Sequence, residues 1–261
     1  MNLEEPPPPL ALAEVASWLE LLGDLTGSIV LIGGQALAFW ASQYAARFPL
    51  LQPVNSRDID FCGEREMAAA AAQRLGGRLW IPDADDQTPS TGLVRLTGQG
   101  GYLRQIDFLR YPFGLNFRDV LAEAVDITVP FDTRQVHFKV MNPIHCLVSR
   151  ISNVGGLPGY QTEHALNQAR TAVLCAREYV RERLGAPDDR AKRAALRLNE
   201  RIYRFAWVNR HALAVFRAHN IDAFEAVLVD DRLGEQFRSL RYPQMVEGLT
   251  RKRRIVPTAP Q

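Results

Sequence analysis

Strand-like patterning stops near residue 141, and this change constrains the fold more than any other feature of the sequence. Upstream of it, short apolar or alternating runs predict strands at 28–32, 57–62, 78–81, 93–97, 102–109, 127–130 and 135–140. Helical spacing of apolar residues predicts helices over 10–22, 35–44, 64–75 and 116–124. Gly98-Gln99-Gly100-Gly101 and Phe131-Asp132-Thr133-Arg134 read as hairpin connections. Pro6 to Pro9 read as a stiff extended lead-in, and 47–55, with Pro49 and Pro53, as a loop. Downstream, from Pro143 to about Arg254, only helical periodicity remains, over 143–154, 161–184 and 188 to about 219. Glycine and proline clusters at 155–159 and 185–187 punctuate it. The expected class is α+β, with a mixed α/β domain over 1–141 and a helical domain over 142–261. The latter closes on a basic tail, Arg251-Lys252-Arg253-Arg254, expected to be solvated and disordered.

Composition bounds the partners. Basic and acidic residues nearly cancel, 31 against 29, and only three of the basic residues are lysine. A protein coating nucleic acid over its whole surface would be far more basic, although a local basic groove is compatible with this balance. With 47% hydrophobic and 23% charged residues the chain is neither a disordered polyelectrolyte nor a membrane protein. Cys62, Cys146 and Cys175 are scattered and odd in number, which argues against a disulfide framework. Met1 to Pro9 has neither the basic start nor the apolar run of a signal peptide. A cytoplasmic protein without membrane contact is expected.

Two short signals carry chemistry. Leu31-Ile32-Gly33-Gly34-Gln35-Ala36 runs a strand into a helix through two glycines. Asn55-Ser56-Arg57-Asp58-Ile59-Asp60-Phe61 places two carboxylates at i and i+2 of a strand, on one face. Ionised carboxylates so close raise each other's pKa, and a divalent cation with a taste for hard oxygen ligands relieves that conflict. A third acid, Asp107, interrupts an otherwise apolar strand in Gln105-Ile106-Asp107-Phe108-Leu109, where a lone carboxylate is costly unless paired or metal-bound. Three strand-borne acids beside a glycine turn describe a two-metal phosphoryl-transfer site. Taken singly, the same features have plainer uses. Asp58 and Asp60 also suit a solvated strand end, Gly33-Gly34 a tight turn, and Ser56 a turn or cap.

In this ordered combination the sequence resembles the nucleotidyltransferase superfamily, the DNA polymerase β-like fold. Within it, the Ile-Gly-Gly-Gln-Ala wording, the Ser-x-Asp-Ile-Asp-Phe box and Met141-Asn142-Pro143 opening a helix are similar to the AbiEii-type, toxin-related bacterial members. The motifs cover roughly residues 28 to 109, and the subgroup resemblance extends weakly to about 153. It implies a nucleotidyltransferase-like mixed sheet flanked by helices, with a helical C-terminal portion for acceptor recognition.

The resemblance also implies an activity: transfer of a nucleoside monophosphate from a nucleoside triphosphate to RNA (tRNA included), a protein hydroxyl or a small molecule. Asp58, Asp60 and Asp107 are the implied catalytic and metal-holding residues, for Mg²⁺ or Mn²⁺. Gly33, Gly34, Ser56 and Arg150 are the implied nucleotide-binding residues. Toxin-type relatives carry a lysine on the helix after the proline. Here the nearest basic residue is Arg150, which can bind a triphosphate bidentately but is no proton-transfer acid near neutral pH, and for which a surface or interdomain salt bridge is the favoured reading. The gap from Gly34 to Asp58, longer than in minimal members, implies an inserted loop or an extended first helix. A toxin–antitoxin or phage-defence setting, with an antitoxin or other partner protein, is the implied context. The alternative is a degenerate module of the same fold that binds nucleotide, RNA or a partner without turnover.

Overall fold

Three consecutive residues, Val30–Ile32, form β1, and all three are buried, because this short strand lies in the middle of the sheet. The structure is a computed structural model and describes residues 8–48, 56–83, 85–86, 88–185 and 188–255. Most of the expected 47–55 loop and the start of the proline lead-in lie outside the described residues.

The chain divides into two compact units, Met1–Cys146 and Leu147–Gln261. The first holds a seven-stranded mixed sheet. Its strands are β1, β2 (Ile59–Cys62), β3 (Arg78–Trp80), β4 (Ser90–Thr97), β5 (Leu103–Leu109), β6 (Val125–Phe131) and β7 (Arg134–Val140), in the order β3-β4-β5-β2-β1-β7-β6. β1 pairs antiparallel to β2 and parallel to β7, while β2 runs parallel to β5. Helices α1 (Leu12–Leu22), α2 (Gly33–Gln43), α3 (Arg65–Leu75) and α4 (Phe117–Ala122) accompany it.

Alternation along β5 explains which side of the sheet is core. Arg104, Ile106 and Phe108 are buried, while Gln105, Asp107 and Leu109 are half-buried. The partner residues Ile59, Phe61 and Val94 complete the buried face. α3 closes over it so tightly that a Cβ on Gly92 would stand 2.6 Å from the Cβ of Ala68. α3 itself ends at Gly76, whose φ of 63° is the left-handed stop that a residue without Cβ adopts cheaply.

The second unit is helical: α6 (Glu163–Arg183), α7 (Asp189–Val208), α8 (Arg210–His219) and α9 (Tyr242–Ile255), with short turns between 223 and 241. The unit boundary falls within α5 (Pro143–Gly156). The helix expected from 188 to about 219 is two helices. Asn209 leaves the helical conformation at φ −76°, ψ 123°, and its side chain accepts from the N–H groups of His211 and Ala212, capping α8. The basic tail is also corrected, since 251–254 belong to α9. Arg253 donates to Asp222 at 2.6 Å and stacks over the Phe216 ring at 3.8 Å. Among the described residues no helix is long and apolar enough to cross a membrane.

Candidate functional site

The site is assembled where β1 meets α2 and where β2 lies beside β5. Ile32 is extended, with φ −127° and ψ −164°, and Gly33 turns the chain into α2 at φ 70°. Gly33 is required there twice over. An L-residue is strained at that φ, and a Cβ would fall 1.8 Å from Oδ2 of Asp60. The Asp60 side chain therefore lies directly over the Gly33 backbone. Ile32, the N-cap residue, has no polar side chain with which to cap the first turn of α2.

Asp60 and Asp107 are register partners on the parallel strands β2 and β5. Residues so paired point to the same face, with the strands about 4.8 Å apart. Asp107 is anchored by the Ser90 hydroxyl, which donates to its Oδ1 at 2.6 Å. Burial raises the Asp107 pKa, the Ser90 hydrogen bond lowers it, and the charge of Asp58 raises it further.

Asp58 departs from expectation. β2 begins at Ile59, so Asp58 sits in the turn before the strand and does not share a strand with Asp60. Ser56 is the reason. Its hydroxyl donates to the Asp58 carbonyl at 2.9 Å, and its own carbonyl accepts from the Leu10 N–H at 2.9 Å and the Gln35 side chain at 3.2 Å. The backbone is tied into a turn before the ladder starts, and Ser56 holds that turn. Asp58 keeps an exposed side chain, yet desolvation still lifts its carboxyl above the ordinary range, against the opposing charges of Arg104 and Arg57.

Gly33, Asp60 and Asp107 thus meet where the start of β2 lies beside the later half of β5, with Asp58 in the turn just before β2. Arg150 belongs to the second unit, where its Nη1 donates to Gln168 at 3.1 Å and Gln168 in turn meets His164 at 3.0 Å. Four residues outside the expected set shape the site. Gln35 and Ser90 position Asp58 and Asp107 as described. Arg104 and Glu14, both almost fully buried, pair at 3.3 Å behind the sheet, and Glu14 also accepts from the Gln99 N–H. The signal for Arg104 and Glu14 was a charged residue at an inward position of an alternating strand and of an amphipathic helix.

The donor set suits a hard divalent cation. It consists of carboxylate oxygens, two of them on groups whose charged forms are disfavoured, so that a cation would reverse the penalty. Among the described residues no group of three or more His, Cys, Asp or Glu already stands in metal-holding geometry. Thiolate chemistry finds no support at Cys62, whose thiol is pushed up to about 12 by burial and by Glu64. No family model matches the chain, and no curated protein matches it.

Proposed function

We propose that the chain is a metal-dependent nucleotidyltransferase of the DNA polymerase β-like fold, moving a nucleoside monophosphate from a nucleoside triphosphate onto an acceptor hydroxyl. The observation that carries this reading is the Asp60–Asp107 register pair, with Asp60 laid over Gly33 at a strand-to-helix turn and Asp58 electrostatically coupled to Asp107. Asp58, Asp60 and Asp107 would hold Mg²⁺ or Mn²⁺, which when bound supplies charge neutralisation at a transferring phosphoryl group.

The protein's own part is positional. Gly33 lets the Asp60 carboxylate lie against the backbone where the chain turns into α2, and the N-terminus of α2 would offer N–H donors to phosphate oxygens. Ser56 and Gln35 fix the turn that presents Asp58, and Ser90 fixes the rotamer of Asp107. The setting of a toxin-type or phage-defence enzyme, with an antitoxin partner, rests on the sequence resemblance alone.

The test is label transfer. The protein is incubated with each α-labelled nucleoside triphosphate, Mg²⁺ and total RNA or lysate, beside Asp58→Ala and Asp60→Ala variants. Label incorporation that both variants lose is expected. Retained nucleotide binding with no transfer under any condition would make the chain a binding module instead.

A further inference from the structure

The face of the sheet that bears the acids continues sideways onto β4 and β3. α3 covers the opposite face, at Gly92 and Val94. On the acid face Arg78, Trp80, Arg95, Thr97 and Leu103 are exposed. Register places them in two rows. Trp80, Leu93, Asp107 and Asp60 are successive partners across four strands, and Arg78, Arg95 and Gln105 are successive partners in the row beside it. With strands about 4.8 Å apart and about 3.4 Å per residue, Trp80 stands roughly 10 Å to the side of Asp107. Arg95 stands roughly 5 Å to the side and 7 Å along the strand.

Two features of this surface call for a ligand. Arg78 and Arg95 are directly opposite each other on antiparallel strands, an arrangement in which like charges destabilise the pair. Among the described residues neither forms an ion pair that would offset the repulsion. Beside them Trp80, on an edge strand, leaves 47% of its surface in water.

We propose that this face binds single-stranded RNA and lays its 3′ end toward Asp60 and Asp107, so that RNA is the acceptor in the nucleotidyl transfer proposed above. The arginine pair takes phosphates, which removes its repulsion. The indole stacks an unpaired base, and an open sheet face admits a strand whose bases are splayed out, as a duplex's are not. Gln105 lies between Arg95 and Asp60 in the sheet, two residues before Asp107 on the same face, and its amide can both donate to and accept from a 2′-hydroxyl.

The acceptor role rests on the transferase reading, whereas the binding itself is measured without it. Fluorescence anisotropy with an end-labelled single-stranded RNA 12-mer, in EDTA and without nucleotide, compares the wild-type protein with Trp80→Ala, Arg78→Ala/Arg95→Ala and a charge-matched control, Arg193→Ala, on exposed α7 surface. Circular dichroism verifies that each variant is folded. The two test variants are expected to bind about tenfold or more weakly and the control unchanged, with DNA of the same sequence and annealed RNA both weaker than single-stranded RNA. Equal binding by wild type and test variants, or DNA bound as tightly as RNA, overturns the proposal. Label transfer is followed in parallel, with Asp60→Asn as the transfer-dead reference. Transfer to small acceptors with no variant-sensitive RNA binding refutes the RNA surface alone. Variant-sensitive RNA binding with no transfer refutes the transferase reading alone.

Discussion

Gly33 and Gly76 have nearly the same φ, 70° and 63°, but different surroundings, and the pair isolates what the site demands of one residue. Nothing lies within 4 Å of a Cβ on Gly76, so Gly76→Ala should cost only the left-handed strain of about 1–2 kcal/mol. Gly33→Ala adds the collision with Asp60 and should destabilise clearly more, with transfer activity lost. Asp60→Ala removes the obstructing carboxylate, so the double variant Gly33→Ala/Asp60→Ala should recover stability toward the Gly76→Ala level. Additive losses in urea unfolding would show that the carboxylate does not lie over the glycine. Asp107 supplies a pH test. Folding raises its pKa, so the folded protein holds this proton more tightly than the unfolded chain. The carboxyl's contribution is therefore most favourable near and below the ordinary value of about 3.8 and is lost as pH rises through the raised folded value. In EDTA at neutral pH, Asp107→Asn should have the higher Tm, and its advantage should shrink on acidification. Mg²⁺ should raise the Tm of the wild type but not of the variant. A variant less stable than wild type at neutral pH would contradict the assignment of burial as the dominant cause.

The elements that sequence patterning reads best are those whose faces differ most. β5 and β7 alternate inward and outward, and α3 closes on a glycine pair, so periodicity and stop signals locate them. Asp60 and Asp107 were visible for the same reason, as acids at outward positions of otherwise apolar strands. What sequence hides is set by side-chain-to-backbone bonds between distant residues. The Ser56 hydroxyl and the paired Gln35 and Leu10 donors start the ladder two residues later than expected and place Asp58 in a turn, and nothing in local propensity reports that. The break at Asn209 is likewise a cap, inside a run whose apolar periodicity is unbroken. Asn199 on α7 is a third case. Fully buried, it accepts from the Leu228 N–H and donates to the Leu228 carbonyl, both at 2.9 Å, and so fastens the 221–233 segment to the helix. Asn199→Ala strands two buried backbone groups and should cost about 2–4 kcal/mol in chemical unfolding. A loss below about 1 kcal/mol would mean that water replaces the side chain.

Across the whole molecule the formal net charge is only +2, so any affinity for a polyanion must come from a local group of cations whose number is countable. Besides the exposed arginines of α7 (Arg190, Arg193, Arg197 and Arg204), two regions compete. The sheet face offers Arg78 and Arg95. α9 carries four cations in its last turns, but Arg251 is paired with Glu247 at 2.7 Å and Arg253 is committed to Asp222 and Phe216, leaving Lys252 and Arg254. Counterion release separates the regions, because log Kobs falls with log salt by about 0.7 for each single-strand phosphate neutralised. If the sheet face alone engages RNA, the slope should be about −1.4, and Arg78→Ala/Arg95→Ala should bring it close to zero. Lys252→Ala/Arg254→Ala should then leave it unchanged. If α9 contributes as well, the slope steepens by about 0.7 for each cation used, and that added part survives the sheet-face double variant. Titrations of the same 12-mer at 50 to 300 mM salt decide the point, and a steep slope insensitive to Arg78 and Arg95 would move the nucleic-acid surface from the carboxylate-bearing sheet to the helical unit.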